Sequence, residues 1–370
     1  MNMFAYFQPI CRRFRGSKCG ERLETPRFRT GLQLCRRSAA FVLEYTDRAS
    51  EASAYRWVLR FALFACLAGG VHAQTPLAPN EVRSDSQQII ERPIRGMVGK
   101  PQGELTEEDY KRVTIQDFSN APITDLTALS KFTNLRTLSM SYCDGVTDLT
   151  PLENLTQLEM LFLRGARPKD LAPLAKLTQL HILDLTGATA VKDVSALQHL
   201  TDLHVLYLNG CSEVTDWSPV GKIASLLWLE AGDCRGLRDL KQLGGLSQIR
   251  EMNLAGCDNL LDLSGIEKFS QLRRLDMRGC NGIGDWSLVG KLEKLNWLNL
   301  GGCEGLRDLS AFSKLERLQW LYLTDCPNVT DLTPLQNLNQ LQELMIRGCT
   351  GIRKGLKEME QKKGLGVYGP

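Results

Sequence analysis

The stretch LQWLYLTDCPNVTDLTPLQNLNQ, residues 318–340, decides the fold, because near-copies of it recur along most of the chain. With Leu318 as position 1, leucine stands at positions 1, 4, 6, 15, 18 and 21, cysteine at 9 and aspartate at 14. Such self-similarity at a fixed period predicts a repeat architecture. The repeats are 23 residues long, with one of 22 at Leu158, and begin at Leu135, Leu158, Leu180, Leu203, Leu226, Ile249, Leu272, Leu295, Leu318 and Leu341.

Each repeat carries the signals of one strand and one helical turn. Leucines at positions 4 and 6 alternate with variable residues at 3, 5 and 7, which predicts a strand with one buried face. Position 16 is mostly Ser or Thr and position 17 often Pro, as in Thr333-Pro334. We predict that position 16 is the N-cap and position 17 the first residue of a short helix. One unit cannot bury its own apolar face, but ten stacked units share a continuous core.

These residues resemble a known family, the leucine-rich repeat proteins. The D-L-[ST]-P-L-x-x-L half resembles the internalin-type repeats of bacterial surface proteins, and the cysteine at position 9 resembles the cysteine-containing class. The resemblance covers about residues 113–352. It implies an α/β solenoid of about ten 23-residue repeats: a horseshoe with a concave parallel sheet and convex 3-10 or α-helical segments. It also implies a secreted bacterial protein without enzymatic activity that binds a partner.

The charge of the chain is unevenly distributed. The 370 residues carry a formal charge of +3, but residues 1–73 hold 12 Lys and Arg against 5 Asp and Glu, and the rest holds 33 against 37. A nucleic-acid-binding protein needs a basic stripe that displaces phosphate counterions. The mildly acidic body therefore argues against a nucleic-acid partner.

The region before the repeats predicts a targeting signal. Arg56 and Arg60 precede an apolar run at residues 61–71, and small residues follow up to Ala73. A run of 11 residues is too short to span a membrane, so we predict a secretory signal peptide cleaved near Ala73. The Arg-rich residues ahead of it are explained by a true start at Val58 or Leu59, or by a transit peptide. An alternative lipoprotein signal would use Cys66.

The predicted organisation has six segments. Many Pro, Gln, Ser and Glu residues before the repeats are typical of a linker of low order. The segments are an Arg-rich extension at 1–55, a signal peptide at 56–73, a low-order linker at 74–112, an N-terminal cap with a half-repeat at 113–134, the leucine-rich repeats at 135–351, and a C-terminal capping helix with a Gly-rich tail at 352–370.

Eight of the 12 cysteines occupy one repeat position. They are Cys143, Cys211, Cys234, Cys257, Cys280, Cys303, Cys326 and Cys349, all at position 9. A small hydrophobic residue with a weak S–H donor suits a buried bend, and we predict a structural ladder of free thiols. Disulfides between neighbouring repeats are the alternative, although parallel side chains disfavour the required torsion. We expect no metal at these thiols.

Two further sets of polar residues have structural and functional interpretations. Aspartate recurs at position 14, where its carboxylate either accepts N–H bonds in its own turn or contributes to a calcium ladder. His181 and His204 share position 2 in consecutive repeats and form either a surface pair or part of a zinc site. The sequence lacks a phosphate-binding glycine loop, a nucleophile elbow and a His-Glu zinc motif, so we predict no enzyme and no cofactor.

The candidate binding site lies on the exposed side of the predicted sheet, at positions 3, 5 and 7. Aromatic residues and arginine dominate binding hot spots, and a row of them along a groove favours partner binding over simple packing within the sheet. We expect Trp297, Trp320 and Tyr322 to form one platform bordered by Arg274 and Arg278. The candidate residues are Met160, Phe162, Arg164, Tyr207, Trp228, Glu230, Arg274, Asp276, Arg278, Trp297, Trp320, Tyr322 and Arg347.

The sequence thus predicts a monomeric protein, secreted, at the cell surface or in the periplasm, that binds a protein partner through its concave face. Two other functions stay open. One is a structural scaffold of the envelope or periplasm. The other is an intracellular effector or a regulator of the phosphatase-binding repeat type, in which residues 56–73 are not cleaved.

Overall fold

A computed structural model describes residues 86–369, and the segments predicted for residues 1–55 and 56–73 lie outside them. The described residues form one open sheet of twelve parallel strands in chain order. The strands are β1 (Ile115–Asp117), β2 (Thr137–Ser139), β3 (Met160–Phe162), β4 (Ile182–Asp184), β5 (Val205–Tyr207), β6 (Trp228–Glu230), β7 (Glu251–Asn253), β8 (Arg274–Asp276), β9 (Trp297–Asn299), β10 (Trp320–Tyr322), β11 (Glu343–Met345) and β12 (Gly366–Tyr368).

The strand register follows the sequence repeat. Leu321 of β10 pairs with Leu298 of β9 and with Leu344 of β11, so equal repeat positions stack on one another. In strands β1 to β11 the central residue, at position 4, is buried, and its neighbours at positions 3 and 5 point to the opposite face. The predicted solenoid with a parallel sheet is confirmed.

Short helical segments return the chain from each strand to the next. Ten of them lie between strands β1 and β11, and each is three to five residues long. Nine are 3-10 helices, at Thr127–Lys131, Thr150–Leu152, Ala172–Lys176, Ser195–His199, Lys241–Leu243, Ile266–Lys268, Ser287–Lys291, Ser310–Lys314 and Thr333–Leu335, and one is α-helical, at Ser218–Gly221.

The predicted capping of these helices is wrong in detail. In the repeat at Leu135, Thr150 is the first helical residue and Leu149 the N-cap, and no side chain of the N-cap residue makes the capping bond. Asp148 does so instead, because its Oδ1 accepts the N–H of Thr150 at 2.9 Å. The aspartate at position 14 therefore satisfies the first free N–H group of the turn, one residue earlier than a conventional N-cap.

Position 8 adopts the left-handed backbone conformation in every repeat, a feature beyond the predicted strand and helical turn. Most repeats have glycine there, such as Gly302 with φ of 73°. Tyr142, Asp233 and Asp325 adopt it with φ of 63°, 58° and 57°. Glycine dominates because it alone reaches this region without a steric penalty from Cβ.

The prediction of a low-order linker at 74–112 is wrong for its described part. Helix α1 (Ser86–Val98) and helix α2 (Glu107–Lys111) fold there. Ile90 and Ile94 of α1 are fully buried at the N-terminal end of the core. Ser86 Oγ accepts the N–H groups of Thr124 and Asp125 at 3.1 and 3.2 Å. These bonds and contacts make the two helices an N-terminal cap.

A buried polar cluster joins the two cap helices. Glu91 accepts hydrogen bonds from Gln87 at 2.9 Å, Arg95 at 2.8 Å and Tyr110 at 2.8 Å. Burial opposes ionisation of Glu91, but these three donors outweigh it and leave the pKa of Glu91 below its usual range. The carboxylate is charged at neutral pH and holds α1 against α2.

The half-repeat predicted at 113–134 is a complete structural unit. Strand β1 pairs with β2 in the regular register, and the 3-10 helix Thr127–Lys131 follows it. The sequence obscured this strand because Gln116 occupies the position of a core leucine. Gln116 is nevertheless buried.

The C-terminal segment contains the predicted capping helix, here α3 (Leu356–Gln361). The residues after it are not a loose tail, because β12 adds a last strand to the sheet beside β11. The ammonium group of Lys362 donates to the carbonyl oxygens of Gln336 and Leu338 at 2.5 and 3.0 Å. Both carbonyls belong to the repeat that begins at Leu318, so these bonds hold the C-terminal cap against the repeats.

Candidate binding face of the sheet

The candidate site is the face of the sheet that carries positions 3, 5 and 7, hereafter the concave face. Parallel pairing in register stacks equal positions of successive repeats into one column, in which neighbouring residues are about 4.8 Å apart. Each column is a row of side chains whose order follows the sequence. The concave face divides into three parts of different character.

The N-terminal part is less exposed than predicted. Met160 and Phe162 are only 5% and 8% exposed, and Ile182 and Val205 in the same region are buried as well. Their position on the outer face predicts exposure, but Met160 lies in register between Thr137 and Ile182, which are both buried. Arg164 lies beside them at 3.5 Å from Asp184. This part supplies packing between strands and little accessible apolar surface.

The central part is a polar network around an aromatic pair. The Tyr207 and Trp228 rings have centroids 5.8 Å apart at an angle of 53°. Glu230 accepts the Nε1–H of Trp228 at 2.9 Å and the amide groups of Asn253 at 2.7 Å and Asn209 at 3.2 Å. Burial, with Glu230 nearby, raises the pKa of Tyr207 well above its usual value, so its hydroxyl stays neutral.

The C-terminal part contains a second aromatic pair. Trp297 and Trp320 are adjacent in one column. The ring that contacts Trp297 is Tyr322, with centroids 5.5 Å apart at 53°. The Arg274 guanidinium lies over Trp297 at 5.1 Å from the ring centroid, within cation–π range. Both tryptophans are half-buried, whereas Tyr322 is only 9% exposed.

The two arginines beside this pair each lie near a carboxylate. Arg278 donates to both carboxylate oxygens of Asp276 at 3.0 Å, and Arg274 lies 3.9 Å from Glu251. Burial raises the pKa of Asp276, and the bonds from Arg278 oppose this increase. Of the two predicted border arginines, Arg274 contacts the aromatic surface and Arg278 bonds to Asp276. Arg347 is exposed at the C-terminal end of position 7.

The two histidines at position 2 form a stacked pair. The rings of His181 and His204 are 5.4 Å apart and nearly parallel, at 5°. Burial, and secondly the neighbouring His204, lowers the pKa of His181. No cluster of three or more metal-ligating side chains occurs within residues 86–369.

The eight cysteines of position 9 form a regular hydrogen-bonded ladder behind the sheet. All eight are buried free thiols. Cys257 Sγ donates to the carbonyl of Ala231 at 3.1 Å, and Cys280 Sγ to that of Leu254 at 3.1 Å, each 26 residues upstream. Each thiol thus satisfies a carbonyl of the preceding repeat. Burial raises the pKa of Cys257 to about 12, which keeps the thiol protonated and unreactive.

The aspartates of position 14 have a structural role in all ten units that contain them, which are the half-repeat and nine of the full repeats. Each accepts the backbone N–H two residues later through Oδ1, at 2.7–2.9 Å. The carboxylates therefore cap their own turns. This geometry accounts for the column without calcium.

Comparisons with known proteins agree with the geometry. A family model described as "Leucine-rich repeat region" matches residues 115–259. These residues form a leucine-rich repeat region. No curated protein sequence matches it significantly.

Solved structures show which solenoid this one is similar to. An internalin (InlF) from Listeria monocytogenes is 21% identical, with a TM-score of 0.61, over 78% of this chain and 92% of that one. Internalin C2 of the same species is 25% identical, with a TM-score of 0.47, over 67% and 100%. The likeness to InlF shows that the described residues have an internalin-like fold. Within the described residues no helix is long and apolar enough to cross a membrane.

Proposed function

We propose that this protein is a secreted or cell-surface binding protein that recognises a protein partner through its concave face. The observation that carries the proposal is the aromatic surface of Trp297, Trp320 and Tyr322 with Arg274. Tryptophan, tyrosine and arginine are the residues that most often contribute binding energy in interfaces. The two tryptophans are half-exposed, although most large apolar groups of the described residues are buried in one core.

The charged groups beside the aromatic surface, and the columns of cysteine and aspartate, support binding rather than catalysis. The charged groups beside the aromatic surface are already matched within the protein, as Arg278 with Asp276 shows. A catalytic site needs groups whose protonation state or nucleophilicity serves a reaction. The cysteine thiols are buried and protonated, and the aspartates of position 14 cap turns. We therefore propose a binding protein and not an enzyme.

Secretion belongs to the same proposal and rests on the sequence of residues 56–73. N-terminal sequencing of protein from the culture medium or periplasm of the native host tests it. We expect a mature N-terminus at or within a few residues of Gln74. An intact Met1 on cytosolic protein would overturn secretion and favour the intracellular alternative.

The test of binding is a double variant, Trp297→Ala/Trp320→Ala, used with the full chain in a pull-down from the native surroundings. Loss of the aromatic anchor should weaken capture of the partner by about 2–4 kcal/mol. The melting temperature should change little, because both rings are half-exposed. Leu261→Ala is the matched control, since Leu261 is 63% exposed and lies outside the concave face.

The opposite behaviour is expected of the core. Leu298, the central residue of β9, is fully buried in the core. Leu298→Ala should cost about 2–5 kcal/mol of unfolding free energy. Suppose instead that the double tryptophan variant melts far lower while its affinity stays within about three-fold. The rings would then be packing within the sheet, and the proposed binding face would be wrong.

A further inference from the structure

The concave face presents two aromatic pairs of similar ring geometry, with the tyrosine on the preceding repeat in the first pair and on the following repeat in the second. Tyr207 and Trp228 lie 5.8 Å apart, Trp297 and Tyr322 lie 5.5 Å apart, and both pairs make an angle of 53°. In both pairs the tryptophan occupies position 3 and the tyrosine position 5 of a neighbouring repeat. The protein therefore offers two similar apolar contact points along one column.

The distance between the two points follows from the strand register. Trp228 pairs with Glu251, Glu251 with Arg274, and Arg274 with Trp297. Three steps between parallel strands of about 4.8 Å separate the two tryptophan backbones by about 14 Å along the sheet. The line between them runs across the strands, along the axis of the solenoid.

Both tryptophan rings are held in place before any partner arrives. The Trp228 indole N–H donates to Glu230 at 2.9 Å, and Arg274 and Tyr322 contact the ring of Trp297. Rings that are already ordered lose little side-chain entropy on binding, which favours affinity. Fixed rings also make the separation of about 14 Å a fixed feature of the surface.

The surface between the two tryptophans is polar and internally matched. Arg274 lies 3.9 Å from Glu251, and Asn253 donates to Glu230 at 2.7 Å. A partner segment that crosses this stretch meets hydrogen-bonding groups without a large excess of either charge. Apolar side chains of the partner segment are favoured only where it contacts the two tryptophans.

We propose that the occupant is an extended segment of the partner protein that lies along the solenoid axis and carries two large apolar side chains four residues apart. This rests on the proposed function. In an extended chain, residues i and i+4 share a face and are about 13 Å apart. In an α-helix, the residues on one face at i+7, i+8 and i+11 lie about 10.5, 12 and 16.5 Å apart along the axis, and each fits the spacing of about 14 Å less closely than the extended chain does.

A displayed library tests the proposal with a defined probe. Random twelve-residue peptides are selected on the full chain, and enriched peptides are then synthesised and their Kd values measured by fluorescence anisotropy. We expect two aromatic or large aliphatic residues at a spacing of four. Moving one of them by one position places it on the opposite face and should raise the Kd at least about ten-fold.

Single variants connect the peptide to both tryptophans. Trp228→Ala and Trp297→Ala should each raise the Kd at least about ten-fold, whereas Leu261→Ala should leave it unchanged. Melting curves of all three variants show that they fold. Enriched peptides with helical spacing, dependence on only one tryptophan, or a library without enrichment would each overturn the extended-segment proposal. The proposed function would still stand if the Trp297→Ala/Trp320→Ala variant loses its partner in the pull-down.

Discussion

Trp217 and Trp286 occupy the same repeat position in sequences that are near-copies of each other, but their indole N–H groups differ. Trp217 Nε1 donates to the carbonyl of Val214 at 3.2 Å. Trp286 Nε1 is buried and has no hydrogen-bond partner within the described residues. A buried donor without a partner costs about 1–3 kcal/mol, so the two residues should respond differently to the same substitution.

The predicted difference is measurable by urea unfolding. Trp217→Phe and Trp286→Phe remove about the same volume, but only the first breaks a hydrogen bond. We expect Trp217→Phe to lose more unfolding free energy, by about 1 kcal/mol, than Trp286→Phe. Equal losses would show that the Trp286 N–H is satisfied in solution.

The cysteine ladder predicts a pattern of chemical labelling. Each thiol is buried, and burial raises its pKa, to about 12 for Cys211 and Cys303. Maleimide at pH 7 should leave all eight unlabelled in the native protein and label all eight in urea, because only the accessible thiolate reacts. Mass spectrometry of the peptides separates them from the four cysteines before residue 74. Native peptides joined by disulfides would contradict the ladder.

At the scale of single elements, the aspartates of position 14 make the turns sensitive to acid. Hydrogen bonds from Ser264, and then the ion pair with Lys241, lower the pKa of Asp262 to about 2. A carboxyl whose pKa is lower in the folded state stabilises the fold above its unfolded pKa of about 4, and this contribution disappears as the pH falls toward 2. Stability should therefore decline between about pH 5 and pH 2.

A double substitution tests whether the aspartates of position 14 cause this loss of stability in acid. Asp148 and Asp285 also have lowered pKa values caused by hydrogen bonds within their turns. Replacing both with Asn keeps an oxygen acceptor without the titrating group, so the loss of stability between pH 5 and pH 2 should become shallower. The measurement is the urea midpoint across that range. An unchanged pH profile would place the acid sensitivity elsewhere.

The sequence predicted the strands better than the elements around them. The alternation of leucine with variable residues is a direct consequence of strand geometry, so the strands of the ten full repeats follow from it. The cap helix Ser86–Val98 was missed because Pro93 and its polar residues are typical of linkers, while its burial depends on contact with the first repeats. Local patterns do not record such long-range contacts.

The same limit applies to the candidate site. The sequence places Trp228, Trp297 and Trp320 on the outer face of the sheet, and the structure has them there. It could not predict that Met160 and Phe162 are buried on that face. Nor could it predict that Glu230 collects donors from three successive repeats, because that depends on side-chain directions.

At the scale of the whole molecule, a solenoid is stabilised mainly by contacts between neighbouring repeats. Its two end repeats each lack one neighbouring repeat, so the stability of these end repeats depends on the caps. Helix α1 packs against the 3-10 helix Thr127–Lys131, and Ile90 and Ile94 cover the apolar end of the first repeat. Weakening this cap should affect nearby repeats more than distant ones.

Ile90→Ala tests this expectation. The loss of buried volume should cost about 2–5 kcal/mol in the cap. Because contacts in a solenoid are local, amide hydrogen exchange should accelerate most in β1 and β2 and hardly at all in β10 and β11. Met97→Ala on the same helix is the control, since Met97 is 58% exposed and should leave exchange unchanged. Uniform acceleration along all twelve strands would mean that the described residues unfold as one cooperative unit, in which the cap stabilises every repeat equally.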